Sequence, residues 1–144
     1  VHQNAVIFFL SDFLNQILKN ESQNVALYQE IKFFKQKILE KKMHAHYFFL
    51  IRMLQFFGIS PLVSEEKFLN IEKGVFQEEI TQKEVDEELS FLWKKILNQE
   101  IDEDFIIEKK YRKSLLDSIL QYYKMHFPEF YSPKSLSVIL EVFE

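Results

Sequence analysis

Four histidines are the side chains best suited to bind a metal ion or to transfer a proton, but their spacing does not fit a shared site. His44 and His46 are two positions apart, which separates them by about 200° around a helix. Glu40 and His44 are four positions apart, yet neither the paired Glu-x-x-His motifs of di-iron bundles nor H-E-x-x-H occurs. The other two, His2 and His126, lie far from this segment. The sequence therefore predicts no metal site and no cofactor.

Acidic and hydroxyl side chains are plentiful but lack the surroundings that catalysis requires. The carboxylates between Glu65 and Glu108 lie in polar runs, whereas a general acid needs an apolar environment to shift its pKa. No glycines surround Ser114, Ser118, Ser132, Ser135 or Ser137 as in a nucleophile elbow, and the chain has no cysteine. We therefore predict a protein that is not an enzyme, and a metal-dependent helical enzyme is the most distant alternative.

Basic side chains form two clusters that could bind anions. One cluster comprises Lys109, Lys110, Arg112 and Lys113. The other comprises Lys35, Lys37, Lys41 and Lys42. Such clusters bind phosphate groups or acidic peptide tails. A solvated helix face that balances acidic residues elsewhere is the alternative interpretation, and the spacing leaves both open.

The composition favours helices as the elements that position these side chains. Only 2 of the 144 residues are glycine, against about 7% in typical proteins. Strand-rich folds and phosphate-binding loops need glycine at turns and close approaches, so the composition argues against a βαβ nucleotide fold, a P-loop and a β-sandwich. The net charge of −4 hides an acidic middle, because residues 59–108 carry 14 acidic and 5 basic residues.

Apolar residues recur at three- and four-residue steps along most of the chain, which is typical of amphipathic helices. The third helix is apolar nearly all round and therefore belongs in the centre of a bundle, and Gly58 ends it. A sixth, short helix follows Pro133. The pattern predicts the first five helices over Ala5–Lys19, Val25–Lys42, His44–Phe57, Thr81–Asn98 and Phe105–Phe127.

The helical period is interrupted after Pro61. Phe68, Ile71, Val75 and Phe76 flank Glu72-Lys73-Gly74, which is typical of a short hairpin. Two such strands are barely stable alone and must pack on helices. We predict a mainly α fold, a bundle of about six helices with one short β-hairpin near residues 68–77, forming a single domain over residues 1–144.

Three segments in this order resemble the RecO recombination-mediator family. The apolar helix from His46 that ends at Gly58, with Pro61 beyond it, resembles a helix end of that family. The hairpin from Phe68 to Phe76 follows in the same order. The run from Leu115 to Pro128, LLDSILQYYKMHFP, followed by KSLSVILEVF, closely resembles the C-terminus of RecO from a Bacteroidetes-like branch.

This resemblance implies a bacterial cytoplasmic, nucleoid-associated protein that helps to load the RecA recombinase onto single-stranded DNA coated by single-strand binding protein (SSB). It also implies annealing of complementary strands and assembly with RecR. Family members begin with an OB-fold domain. The resemblance therefore implies that this chain is the C-terminal helical part of a longer protein, without the OB-fold that precedes it there. Many members carry a four-cysteine zinc module after the glycine-terminated helix, but residues 59–77 contain no cysteine, so no zinc is expected.

The resemblance also implies a docking site for the SSB C-terminal tail, which is acidic and ends in a phenylalanine carboxylate. Such a site needs an apolar slot with Lys or Arg at its rim. The alternative to a RecO-like mediator is a stand-alone helical protein-interaction or regulatory domain with no DNA repair role. The nearest residues for the tail are Lys41, Lys42, His46 and Arg52, and those for nucleic acid are Lys109, Lys110, Arg112 and Lys113.

Overall fold

Helices dominate the computed structural model, which describes residues 2–18, 25–40, 44–80, 85–102, 104–127 and 130. Over these residues the mainly α prediction is confirmed, with five helices and one antiparallel hairpin. The sixth helix that the sequence predicts falls outside the described residues. The elements are α1 (His2–Ile17), α2 (Val25–Leu39), α3 (Ala45–Phe56), β1 (Phe68–Asn70), β2 (Val75–Gln77), α4 (Glu87–Leu97) and α5 (Lys109–His126).

Helix α3 lies at the centre of the core, as its uniformly apolar sequence predicts. Nine of its twelve residues are buried, and it packs against α2, α4 and α5. Tyr123 of α5 donates a hydrogen bond to the carbonyl oxygen of Leu50, and its ring lies edge-on to Phe13 of α1 at 4.9 Å between centroids. The apolar stripe predicted for α1 is buried throughout, at Val6, Phe9, Leu10, Phe13 and Ile17.

Gly58 ends α3 in the left-handed conformation that the sequence predicts, with φ of +71°. Its N–H donates to the carbonyl oxygen of Gln55 at 3.1 Å, and the N–H of Ile59 donates to Leu54 at 3.0 Å. These two bonds form a Schellman motif, which satisfies carbonyl groups at the helix end. The chain thereby leaves α3 toward the hairpin.

The hairpin pairs Leu69 with Phe76 at the centre of its antiparallel register. Gly74, with φ of +65°, lies in its turn, as predicted. The N–H of Leu69 donates to the Ser90 hydroxyl of α4 at 2.9 Å, and the His126 ring of α5 hydrogen-bonds to the carbonyl oxygen of Ile71 at 2.6 Å. Helices on two sides therefore hold a hairpin that would be marginal alone.

Two helices begin later than the sequence predicts. Residues 81–84 fall outside the described residues, but Val85 and Asp86 are not helical, and the Asp86 carboxylate caps α4 by accepting from the Leu89 N–H at 2.9 Å. Helix α5 begins at Lys109 rather than Phe105. Its preceding segment is held instead by a hydrogen bond from the Ile107 N–H to His44 Nδ1 at 2.9 Å, so a tertiary contact replaces the first helical turns.

Candidate docking cleft and basic helix end

A cleft of about 350 Å³ opens where α2, α3 and the end of α4 meet. Its volume falls within the range of small-ligand pockets, roughly 300–1,000 Å³. Phe34 and Phe48 are buried at its floor, whereas Phe33 is 44% exposed. The apolar lining comprises Phe33, Phe34, Phe48, Ile96 and Ile101, and the polar lining comprises Glu30, Arg52, Gln99 and Asp102.

Arg52 is the cation in this lining, and neighbouring side chains fix its position. Its Nε donates to Glu30 Oε1 at 3.1 Å, and its Nη1 donates to Gln55 Oε1 at 3.1 Å. Gln55 in turn donates to the carbonyl oxygen of Leu97 at 3.1 Å, which ties the network to α4. A guanidinium has five N–H donors, and these two hydrogen bonds use two of them. The arrangement leaves Arg52 both positioned and able to bind a carboxylate.

The Arg52 side chain also lies against an aromatic ring. Its guanidinium carbon is 5.9 Å from the centre of the Phe56 ring, and the Lys37 ammonium lies 5.1 Å from the centre of the Phe33 ring at the cleft. Cations at this distance are attracted to ring faces. The cleft thus combines aromatic surface with positive charge, although Glu30 and Asp102 bring two carboxylates to the same lining.

Gln99 has an unusual backbone conformation for a residue in the cleft lining. Its φ is +58°, and it is the one described residue other than glycine with a positive φ. Its N–H donates to Ile96 at 3.1 Å and the Glu100 N–H donates to Lys95 at 2.9 Å, which repeats at the end of α4 the motif that Gly58 makes at the end of α3. A long side chain therefore occupies a position where glycine costs less.

Of the two predicted tail-binding residues that the structure describes, His46 and Arg52, Arg52 lines the cleft. Lys41 and Lys42 lie outside the described residues. His46 is 0% exposed and packs on the Tyr47 ring at 4.1 Å between centroids, so the expectation of a surface contact at His46 is corrected. Because α3 is buried on nearly every side, its apolar pattern did not indicate which few residues face solvent.

The sequence reasoning missed most of the cleft. Glu30, Phe33 and Gln99 were not singled out, because they lie on α2 and after α4 rather than near Arg52 in the chain. One signal was present for Phe33, since Phe33 and Phe34 are adjacent and an amphipathic helix cannot bury both on one narrow stripe. No local signal marks Glu30 as the partner of an arginine 22 positions away.

The basic cluster at 109–113 forms the first turn of α5. Lys109, Lys110 and Lys113 are exposed, and Glu108 provides no side-chain cap to the helix. Cations in this turn lie at the positive end of the helix dipole, which costs stability, and one of them, Lys110, lies 3.8 Å from the Glu108 carboxylate. Arg112 differs from the lysines because its Nε donates to the carbonyl oxygen of Ile107 at 2.8 Å, so it stabilises the segment before the helix.

Arg112 also affects His44, which lies close to it. Burial, together with the positive charge of Arg112, lowers the pKa of His44 from 6.5 to about 4. His44 therefore stays neutral near pH 7 and accepts a hydrogen bond from Ile107. The ring acts as a structural acceptor between the start of α3 and the segment before α5.

Two further findings bear on the kind of protein. Among the described residues, no group of three or more His, Cys, Asp or Glu side chains is arranged to hold a metal ion. No helix in the same part of the chain is both long enough and apolar enough to cross a membrane. What the described residues offer is an aromatic cleft with a positioned arginine, and a basic helix end.

These features define a class: a mainly helical domain that presents a small aromatic cleft and a basic surface. The relatives of the chain are proteins named DNA repair protein RecO. The protein from Christiangramia forsetii is 27% identical over 96% of this chain, that from Azobacteroides pseudotrichonymphae is 26% identical over 99%, and that from Flavobacterium psychrophilum is 25% identical over 99%. The resemblance that the motifs indicated is therefore confirmed.

The chain spans about three fifths of the length of these curated relatives, with 61% of the first covered and 63% of the second and third. No family model matches the chain. No solved structure matches it.

Proposed function

We propose that this chain is a helical docking module of a RecO-like DNA repair and recombination mediator. In this proposal it assists RecA loading on SSB-coated single-stranded DNA and the annealing of complementary strands, and catalyses no reaction itself. Its partners are the SSB tail, RecR and single-stranded DNA, and its setting is the bacterial cytoplasm at the nucleoid. The observation that carries the proposal is the similarity of nearly the whole chain to proteins named DNA repair protein RecO.

The cleft beside Arg52 is the proposed docking site for the SSB tail. A terminal phenylalanine ring would bury apolar surface against Phe33 and Ile101, the apolar residues of the lining that are exposed or half-buried, and its carboxylate would accept hydrogen bonds from Arg52. Burial of such a ring is worth about 1.5–3 kcal/mol, and a hydrogen bond to a charged group about 1.5–3 kcal/mol. Lys41 and Lys42 remain proposed contacts for the acidic residues that precede the ring.

Fluorescence anisotropy with an acidic peptide that ends in a phenylalanine carboxylate tests this site. We expect Arg52→Gln to weaken binding by about tenfold or more, and replacement of the terminal phenylalanine by alanine to weaken it comparably. Lys124→Gln removes the same charge from an exposed position on α5 and should leave the affinity unchanged. Equal binding by Arg52→Gln and the wild type would exclude the cleft. If Lys41→Glu with Lys42→Glu leaves the affinity unchanged, those lysines are not part of the site.

The basic turn of α5 is the proposed contact for DNA phosphates, through Lys109, Lys110 and Lys113, with Arg112 holding the turn in place. Binding of single-stranded DNA should weaken as salt increases. Because each phosphate contact contributes about 0.7 to the slope of log affinity against log salt for single strands, Lys109→Gln with Lys113→Gln should reduce that slope by about 1.4. The matched control is Lys73→Gln with Lys124→Gln, two exposed lysines elsewhere. Salt-independent or undetectable binding would exclude direct DNA contact by this turn.

A further inference from the structure

We infer that Glu30 is an internal competitor for the carboxylate of the ligand that occupies the Arg52 cleft, so that opening the ion pair between Glu30 and Arg52 is part of the cost of docking an acidic peptide. This inference rests on the proposed docking of an acidic, phenylalanine-ended peptide. In this inference, Glu30 lowers the affinity of the cleft for that peptide.

The geometry of the pair supports competition. Glu30 Oε1 lies 3.1 Å from Arg52 Nε, the distance and atom types that an incoming carboxylate would adopt. Both side chains line the cleft. They are partly exposed, at 28% for Arg52 and 18% for Glu30. Glu30 can therefore turn toward water without becoming a buried unpaired charge, which would otherwise forbid the exchange.

The rest of the guanidinium network explains why Arg52 would stay in place during the exchange. Gln55 accepts from Nη1 at 3.1 Å and is itself bound to the carbonyl oxygen of Leu97, and the Phe56 ring lies under the guanidinium. These contacts do not involve Glu30. Loss of the Glu30 carboxylate therefore frees one donor of a cation that remains positioned.

The strength of the ion pair sets the size of the effect. In the described lining, the Arg52 guanidinium lies among the carboxylates of Glu30 and Asp102, and only Glu30 is paired with it. Removing the charge of Glu30 releases the arginine donor that a terminal carboxylate would use. Partly exposed ion pairs are worth up to about 1 kcal/mol, and every 1.4 kcal/mol is tenfold in affinity, so the gain should be at most about fivefold.

The test compares two peptides of the same acidic sequence, one ending in a phenylalanine carboxylate and one in the corresponding amide. We expect Glu30→Gln to bind the carboxylate peptide more tightly than the wild type by up to about fivefold, with little change for the amide, because only the terminal carboxylate competes with Glu30 for Arg52. Glu30→Ala, checked for folding by circular dichroism, should behave in the same way. Glu87→Gln is the matched control, since Glu87 pairs with Lys67 at 3.7 Å and does not line the cleft.

The remaining outcomes separate this inference from the docking proposal. Arg52-dependent binding of equal strength to the wild type and Glu30→Gln overturns the competition alone. An equal gain for both peptides also overturns it, because general electrostatics would then be the cause. Weaker binding by both Glu30 variants shows that Glu30 positions Arg52 and contradicts competition. Absence of binding to every variant overturns the docking proposal and this inference with it.

Discussion

At the scale of single residues, His44 joins the start of α3 to the segment before α5, and its ring must be neutral to do so. Its Nδ1 accepts from the Ile107 N–H at 2.9 Å, and protonation would place a hydrogen on that acceptor. The pKa is lowered from 6.5 to about 4 by burial and by the charge of Arg112. Between these two pH values the unfolded chain therefore binds more protons than the folded chain, and stability falls as the pH falls.

We expect His44 alone to reduce the free energy of unfolding by about 2 to 3 kcal/mol between pH 7 and pH 4. His44→Asn offers an amide oxygen near the position of Nδ1 and does not titrate, so its stability should depend less on pH. Urea unfolding of both proteins at several pH values measures the difference. If the free energies of unfolding of the two proteins fall in parallel from pH 7 to pH 4, the acceptor role of His44 is wrong.

Arg52 and His46 show what sequence reasoning can establish for individual site residues. Both were predicted to bind a peptide, but one lines the cleft and the other is buried. They are six positions apart, which places them on different faces of α3, and polarity alone does not say which face is covered. Glu30 was missed because its role depends on a contact between helices.

At the scale of elements, the two glycines have the same left-handed conformation, Gly58 at the end of α3 and Gly74 in the hairpin turn. Their surroundings differ. A Cβ at Gly58 would meet nothing within 4 Å, whereas a Cβ at Gly74 would lie 2.9 Å from the Tyr122 hydroxyl. That hydroxyl donates to the carbonyl oxygen of Ile59, so it cannot move without losing a hydrogen bond. Gly74 is therefore constrained by packing as well as by φ.

We expect Gly58→Ala to lower the free energy of unfolding by about 1 kcal/mol, and Gly74→Ala to lower it by about 2 to 3 kcal/mol because overpacking adds to the backbone cost. Combining Gly74→Ala with Tyr122→Phe should cost less than the sum of the two changes. Urea unfolding of the wild type, the three single variants and the double variant measures these differences. Equal losses at the two glycines would contradict the close contact with Tyr122.

Gln99 places the same helix-ending motif at the rim of the cleft. We expect Gln99→Gly to raise the free energy of unfolding by roughly 0.5 to 1 kcal/mol, because glycine adopts the left-handed conformation without strain. The change should also weaken binding of the acidic peptide, since it removes a side chain from the cleft lining.

The matched variant is Gln99→Ala, which removes the side chain but keeps the backbone strain. It should lose peptide affinity like Gln99→Gly but gain no stability, as measured by thermal unfolding and anisotropy. A stabilised Gln99→Gly protein that binds as tightly as the wild type would show that the side chain has no part in docking.

The predictability of the elements depended on where their defining contacts lie. Local periodicity predicted the helix interiors and the hairpin. The two glycines predicted the end of α3 at Gly58 and the hairpin turn at Gly74. The starts of α4 and α5 followed from neither. The start of α4 depends on its cap, Asp86, which the predicted helix placed in its interior. The start of α5 depends on a hydrogen bond between residues 63 positions apart.

At the scale of the whole molecule, one short segment joins the cleft to the basic end of α5. Ile101 and Asp102 line the cleft, and α5 begins at Lys109, so the two surfaces are at most about 25 Å apart along this segment. The same segment carries Ile107, whose N–H is bound by His44. A bound peptide and a bound DNA strand would therefore be neighbours on a segment anchored to the core.

The cleft itself could not have been predicted as a unit. Its lining comes from α2, α3 and the end of α4, elements whose relative positions are set by packing rather than by any local pattern. The resemblance to RecO indicated the type of ligand and a neighbourhood that includes Arg52. The three-dimensional arrangement was needed to bring aromatic residues and a carboxylate competitor to that arginine.

Methyl NMR of the chain with the acidic, phenylalanine-ended peptide tests most directly whether the cleft is the docking site. Aromatic rings shift the resonances of methyl groups that they contact, so we expect the largest changes at Ile96 and Ile101, which line the cleft. Ile119, fully buried in the core, should not change, and Arg52→Gln should abolish the shifts at the same peptide concentration. Saturable shifts at Ile80 or Ile106 with none at Ile96 and Ile101 would contradict docking at the Arg52 cleft.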